Sequence, residues 1–238
     1  MEEAASCPVL HTSVKNEADL HAKNIELYSD KIRYTAICGD EQVPVEVPIP
    51  GRFTVYNTLT VLGIAMQLGI SLADAAQALK TAKGVKGRIE VVPTPGKDYT
   101  IIIDYAHSHD SLENILTSVK DFCKGRLIAV FGSSGGRDPG KRPLMGEVGA
   151  RVADIAVITT DNARWEDPFT VIQEMLVGIP DQSNCVVIVD RTEAIHYAMD
   201  IAEKDDIIVL AGRGHELYQE SMGVKVPMDE RKIVAEYL

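Results

Sequence analysis

The sequence predicts an α/β protein: a Rossmann-like, doubly wound, mostly parallel sheet preceded by an incomplete α/β piece. Three observations carry that prediction. From about Arg88 onward, apolar runs of strand length recur: YTIIIDYA (Tyr99–Ala106), RLIAVFG (Arg126–Gly132), DIAVI (Asp154–Ile158), CVVIVD (Cys185–Asp190) and DIIVLAG (Asp206–Gly212). Strands apolar on both faces belong to a sheet covered on both sides. Helix-period segments separate them, and four polar loops emerge after strands, where open α/β sheets hold ligands.

Before Arg88 the pattern is thinner. Lys31–Cys38 and Val43–Ile49 read as strands around a GDEQ hairpin loop. A helix from about Val55 to Leu68 aligns Val55, Leu59, Leu62 and Met66 on one face. A second opens at Ser71, whose hydroxyl can cap it while Asp74 reaches back; it buries Leu72, Ala75, Ala76 and Leu79. Gly84 and Gly87 then break the pattern. Two or three strands and two helices imply a thin core and helix faces short of a sheet. This part is therefore expected to be mobile, or buried in a dimer through exposed apolar surface.

In the second part, IEVVPT is the first strand. Asp110 is expected to cap a helix bearing Leu112, Ile115, Leu116 and Val119, and another helix runs from about Pro143 to Val152. Asp167-Pro168 supplies a cap and a first helical position for a helix to Val177. Asp190 with Glu193 makes a capping box ahead of Ile195, Ala198 and Met199. DIIVLAG is the last clear strand, and the acids Asp229 and Glu230 start a terminal helix. The implied domain division is 1–86 and 87–238.

Composition restricts the function. A formal net charge of −11 disfavours nucleic acid and anionic membrane surfaces, so clustered bases must be local ligand sites. No apolar stretch approaches a membrane span, and the N-terminus lacks a secretory pattern. Cys7, Cys38, Cys123 and Cys185 are scattered without a CxxC pair, which suits reduced thiols in a cytoplasmic protein and argues against zinc.

The four loops divide the chemistry. In DYAHSHD, Asp104 and His107 sit at a strand mouth, where a carboxylate and an imidazole could meet phosphate-bound metal or a base; plain helix entry is the competing reading. FGSSGGRDPGKRPLMG (Phe131–Gly146) contains GxxxxGK, but Arg142 stands where a nucleotide P-loop needs Ser or Thr, and Pro139 removes a backbone donor. It is not a P-loop. Arg137, Lys141 and Arg142 still read as an anion site at a helix start. TTDNARWEDP (Thr159–Pro168) offers Arg164 as a planar fork for a carboxylate, with Asp161 and Asn162 for an ammonium or amide. AGRGHELYQ (Ala211–Gln219) brings two glycines for close backbone approach and Glu216 for an ammonium, whereas His215 fits packing or capping better than base chemistry.

Together, GRFTVYN (Gly51–Asn57), GVKGRIE (Gly84–Glu90), DYAHSHD, FGSSGGRDPGKRPLMG, TTDNAR and GRGHE resemble the Mur ligases in order and spacing, over nearly the whole chain. The nearest resemblance is to the members that add the third amino acid of the peptidoglycan stem peptide. In them, ATP phosphorylates the D-glutamate carboxylate of UDP-N-acetylmuramoyl-L-alanyl-D-glutamate and an incoming amine attacks the acyl phosphate. The resemblance implies ATP and magnesium as cofactors of the complete ligase. It places Asn57, Arg88, Asp104 and His107 at the nucleotide. It places Arg137, Asp161, Asn162, Ala163, Arg164, Gly212 and Glu216 at meso-diaminopimelate, with no metal ligand in this chain.

Departures from the family pattern matter as well. Ala163 stands where proline is usual in the recognition loop, Thr54 where asparagine is usual and His109 where proline is usual. The retained Arg164 favours diaminopimelate over lysine, in a less rigid loop. The family's uridine-nucleotide domain, P-loop and modified magnesium-holding lysine are missing, and Met1 falls where the middle of the central domain would lie. The expectation is a C-terminal ligase portion, with residues 1–86 a remnant of the central ATP-binding domain, inactive without an N-terminal half. A stand-alone amino-acid or nucleotide binding module, and a lysine-adding or folylpolyglutamate synthetase-like fragment, are the alternatives.

Overall fold

In the computed structural model, which describes Cys7 and residues 9–238, the chain forms two compact units, Met1–Lys83 and Gly84–Leu238. The first is a four-stranded sheet in the order β1 (Thr12–Ser13), β2 (Leu20–Leu27), β3 (Ile32–Cys38), β4 (Glu41–Val47), followed by α1 (Arg52–Gln67) and α2 (Leu72–Leu79). The second strand escapes a sequence reading because a bulge between Lys23 and Glu26, with Asn24 at φ 53°, interrupts its alternation. Its presence corrects the expectation of a thin core. Leu20, Ile32, Tyr34 and Val47 pack with Val55, Leu59, Leu62, Leu72 and Ala76 in one buried cluster. The helix faces expected to lack a sheet are thus covered. Apolar exposure lies instead at Val61, Ile64 and Leu68, spaced i, i+3, i+7. At α2 the Ser71 hydroxyl accepts the Asp74 N–H at 3.1 Å and donates to the Asp74 carboxylate at 2.6 Å.

The second unit is a six-stranded sheet in the order β5 (Glu90–Val92), β6 (Thr100–Asp104), β10 (Ile207–Ala211), β7 (Leu127–Phe131), β8 (Ile155–Ile158), β9 (Cys185–Val187). Only the edge strand β5 runs antiparallel. Alternate residues Ile101, Ile103, Ile128, Val130, Ile208 and Leu210 pack with α6 (Arg191–Ile201) and α7 (Glu230–Tyr237). The helices α3 (His109–Lys120), α4 (Lys141–Val152) and α5 (Pro168–Leu176) pack in succession, and Gly149 of α4 lies directly against the Phe131 ring, where a Cβ would collide.

Helix starts follow the sequence signals with two corrections. Ser108, not Asp110, caps α3: its extended backbone lets the hydroxyl accept the Ser111 N–H, and Ser111 answers in a reciprocal box. Asp110 sits within the first turn, where its charge still complements the helix dipole. Helix α4 begins at Lys141 rather than Pro143, because a proline in the first turn forfeits only an N–H that lacks an intrahelical partner. Asp167, Asp190 and Asp229 cap α5, α6 and α7. A hairpin, β11 (Tyr218–Ser221) and β12 (Val224–Pro227), follows β10; its polar first strand gave no apolar signal.

The strand order is what builds the site. Chain-distant strands β6, β10, β7 and β8 are neighbours, so the loops leaving their carboxyl ends converge.

Candidate functional site

A cavity of about 480 Å³ opens at those carboxyl ends. That volume suits a small molecule. The β6 loop contributes Tyr105, His107 and Ser108; the β7 loop contributes Ser134, Arg137, Asp138 and Lys141. Asp161, Asn162 and Arg164 arrive from β8, and Gly212 and Glu216 from β10.

Each wall is fixed by hydrogen bonds among the loops. Asn162 Nδ2 donates to Glu216 Oε2 at 2.8 Å, which couples the DNAR loop to the GRGHE loop. Its Oδ1 accepts from Arg213 Nη1 at 3.2 Å and from the Glu220 N–H at 2.8 Å. The Asp161 carboxylate is buried and accepts from the Ser134 hydroxyl at 3.1 Å. Gly212, at φ 115°, passes so close that a Cβ would lie 2.7 Å from Asp161 Oδ2. Ala163 is buried with its carbonyl against Gly135, where no side chain would fit, and Gly135 N–H donates to Asn162 O at 2.9 Å. Arg164 adopts φ 55° and donates from Nη1 to Gly135 O at 3.2 Å.

The expected anion site is corrected at one residue. Arg142 is buried, and its guanidinium forks onto both Glu166 oxygens at 2.8 and 2.9 Å while reaching Glu174 at 2.6 Å. It therefore cannot serve an incoming anion. Glu166, four residues after Asn162, also accepts the Gly136 N–H at 2.5 Å. Arg142 thus staples the glycine loop to the DNAR loop, and together with that N–H it holds the Glu166 carboxyl below the usual range. Arg137 and Lys141 do line the cavity. The Lys141 ammonium donates to His107 O at 2.8 Å, and burial lowers its pKa.

The residues expected around a nucleotide are less concentrated. His107 lines the cavity, its ring 4.7 Å from that of Tyr105, and the Arg88 guanidinium lies 5.2 Å from the Tyr105 centroid. Asp104 is buried beneath the rim, outside the cavity lining. Its two oxygens accept the Ile89 and Ala106 N–H groups, both at 2.9 Å, and desolvation raises its pKa despite those bonds. By holding Ile89 at φ 42°, it shapes the turn that carries Arg88. Asn57 lies exposed on α1, in the first unit.

Sequence reasoning missed Tyr105, Ser108, Ser134 and Asp138 as lining residues. It also missed Arg213, fully buried and bonded to Asn162; burial, then the charge of Arg191, lowers its pKa. No sequence signal separates that arginine from a surface one.

The cavity therefore combines guanidinium and ammonium groups (Arg137, Lys141, Arg164) with carboxylates (Asp138, Asp161, Glu216). Such a mixture suits a zwitterion better than a plain anion. Among the described residues, no three His, Cys, Asp or Glu side chains form a metal-ligand cluster.

Comparisons with known proteins agree with this architecture. Residues 87–214 match the Mur ligase glutamate ligase domain, and residues 1–65 match the Mur ligase middle domain. The UDP-N-acetylmuramoyl-L-alanyl-D-glutamate–2,6-diaminopimelate ligase of Clostridium botulinum is 41% identical over 94% of this chain and 47% of its own length. That of Caldanaerobacter subterraneus subsp. tengcongensis is 43% identical over 100% of this chain and 49% of its own. The chain spans about half the length of the curated relatives it matches. A solved UDP-N-acetylmuramoyl-L-alanyl-D-glutamate–2,6-diaminopimelate ligase superposes with a TM-score of 0.80 at 34% identity, covering 96% of this chain and 47% of that one. The folylpolyglutamate synthase of Thermotoga maritima, at 21% identity and a TM-score of 0.62 over 81% of this chain and 44% of that one, shares the fold alone. With more than half its length matched by the family's glutamate ligase domain, the chain belongs to the Mur ligase family.

Proposed function

We propose that the chain is the C-terminal portion of an ATP-dependent ligase adding meso-diaminopimelate to UDP-N-acetylmuramoyl-L-alanyl-D-glutamate in peptidoglycan synthesis. On this reading the cavity is the pocket for the incoming diamino acid. One observation carries it: Arg137 and Arg164 share a single cavity with Asp161 and Glu216. Diaminopimelate is an α-amino carboxylate at both ends, so it needs cationic and anionic partners at both ends. Arg164 takes the distal carboxylate, Glu216 and Asp161 the distal ammonium, and Arg137 a further carboxylate. Asn162, Ala163 and Gly212 fix the frame. Held there, the remaining amine attacks the acyl carbon of the phosphorylated glutamate; the new C–N bond forms as phosphate leaves.

Arg88 and His107 are proposed to contact the ATP nucleotide, with Asp104 setting the Arg88 turn; for Asn57, on the first unit, a nucleotide contact is proposed separately, on the family resemblance alone. Residues 1–86 are assigned as the C-terminal remnant of the central ATP-binding domain, and 87–238 as the amino-acid-binding domain. The sequence has no phosphate-cradling P-loop and the described residues no metal-ligand cluster, so the magnesium and phosphate contacts are assigned to the remainder of the ligase. The exposed strip Val61, Ile64 and Leu68 supports packing of the first unit against further protein, either that remainder or a second copy. The reading carries a cytoplasmic location with it, and among the described residues no helix is long and apolar enough to cross a membrane.

Calorimetric titration of the chain with meso-diaminopimelate tests the assignment. Saturable binding that weakens at least about tenfold in Glu216→Ala is expected, because a charge-assisted contact is lost. Absence of binding at millimolar ligand, with the chain folded, would overturn the pocket assignment.

A further inference from the structure

We infer that the hairpin β11–β12 is a positioning clamp for Arg164 and Asn162, so that the pocket's preference for a ligand with a distal carboxylate depends on residues outside the pocket. The inference rests on the diamino-acid reading of the cavity. A two-stranded hairpin is marginal alone, and β12 is exposed along its whole length, with Val224 and Val226 open to solvent. What anchors the hairpin is the DNAR loop, through β11 and the turn.

The anchoring is backbone to backbone at the residue that matters. Arg164 N–H donates to Glu220 O at 3.0 Å, Met222 N–H donates to Arg164 O, and Arg164 bridges Ser221 in parallel register. Both groups of the Arg164 peptide backbone are thereby spoken for. The same strand holds the neighbouring residues: Glu220 N–H donates to Asn162 Oδ1 at 2.8 Å and Gln219 Nε2 to Asp161 O at 3.1 Å. Arg213 ties the strand's start down by donating to Tyr218 O.

The turn is matched to this task. Met222 and Gly223 both have positive φ, 49° and 73°, as a tight two-residue hairpin turn requires. The Trp165 ring lies over Gly223, at a distance where a Cβ would meet its six-membered ring at 2.5 Å. Trp165 is otherwise 73% exposed, so its packing on the turn, rather than on a core, is what it offers the fold. The left-handed backbone of Arg164, φ 55°, is costly for a residue other than glycine and persists only where surroundings impose it. Ala163 supplies none of the rigidity a proline would, and the hairpin takes that place.

The test uses the full chain. Affinities for meso-diaminopimelate and lysine are measured by calorimetry in the parent, Trp165→Ala, Trp165→Phe and Gly223→Ala. Amide exchange at Arg164 and Met222 is followed in each. Trp165→Ala and Gly223→Ala should lower the diaminopimelate-to-lysine preference roughly tenfold with lysine affinity little changed, since the turn bears on Arg164 through Met222 while Asn162 keeps its bonds to Glu220, Arg213 and Glu216. Trp165→Phe keeps a ring on Gly223 and should retain the preference. General destabilisation would weaken both ligands alike. Exchange at both amides should quicken in the two disruptive variants, while β10 amides stay protected. A parent that does not discriminate would overturn the pocket reading, and the clamp would then stand or fall on the exchange rates. An unchanged preference in a discriminating protein, or unchanged exchange at Arg164 and Met222, would overturn the clamp.

Discussion

Replacing Arg142 should loosen the site without touching its lining. Its guanidinium makes three charge-assisted hydrogen bonds, two to Glu166 and one to Glu174. Fully buried, a broken pair of this kind costs about 3–5 kcal/mol, and a fully exposed one at most about 1 kcal/mol. The arginine side chain is 2% exposed but its partners are 36% and 43% exposed, so the pairs lie between those limits. Arg142→Met, which keeps much of the volume and removes the charge, should destabilise the second unit by about 2–4 kcal/mol. Arg142→Lys retains a charge but cannot fork, and should recover about half of that. Urea unfolding read by Trp165, the chain's single tryptophan and a neighbour of Glu166, measures both. The pH dependence follows from the lowered Glu166 pKa, whose first cause is Arg142. A depressed carboxylate contributes stability that is present above its unfolded pKa and lost as pH falls through its folded pKa. The gap between parent and Arg142→Met should therefore be full at neutral pH and shrink below about pH 4.3. A destabilisation under about 0.5 kcal/mol, or a gap that does not shrink in acid, would refute the staple.

Asp104→Asn should cost about 1–3 kcal/mol, because an amide offers one oxygen where Ile89 and Ala106 need two acceptors. Desolvation raises the Asp104 pKa, so in the parent this group adds stability as pH falls from neutral through that raised value; thermal unfolding should show the gap to Asn widening over this window, and narrowing would contradict it. Gly212→Ala places a methyl 2.7 Å from Asp161 Oδ2 at φ 115° and should lower stability by about 1–3 kcal/mol together with diaminopimelate affinity, as paired thermal and calorimetric measurements would show.

Much of the second unit was legible because its signals are local. Five apolar runs marked β6 to β10, and Asp167-Pro168 and Asp190 fixed two helix starts by hydrogen bonds within one turn. The fold class marked the loops at Arg137, Asp161–Arg164 and Gly212–Glu216 as ligand-bearing strand ends, and the family resemblance grouped them; they line one cavity. What remained hidden depends on pairing across the chain. Arg142 looked like a free cation, since nothing near it in sequence announces Glu166 and Glu174. Asp104 read as a strand-mouth carboxylate open to a ligand or as plain helix entry, although its partners Ile89 and Ala106 include one 15 residues away. The strand β2 and the hairpin β11–β12 were invisible for the reverse reason: a bulge broke one alternation, and polar residues filled the other.

The central claim is that Arg164 reads a distal carboxylate, and one ratio tests it directly. Diaminopimelate and lysine differ by that carboxylate alone. Among the described residues, the Arg164 side chain makes one hydrogen bond, Nη1 to Gly135 O, so its fork retains donors for a ligand. A charge-assisted bond contributes about 1.5–3 kcal/mol, and a lysine complex leaves the fork unpaired, so the preference should be roughly tenfold to several hundredfold. Calorimetry on the parent, Arg164→Ala and Arg164→Lys gives the ratio. The account predicts that Arg164→Ala removes most of the preference and that Arg164→Lys does not restore it, because a point charge lacks the fork. An unchanged ratio in Arg164→Ala would contradict the account and move the reading of that carboxylate to Arg137 or Lys141.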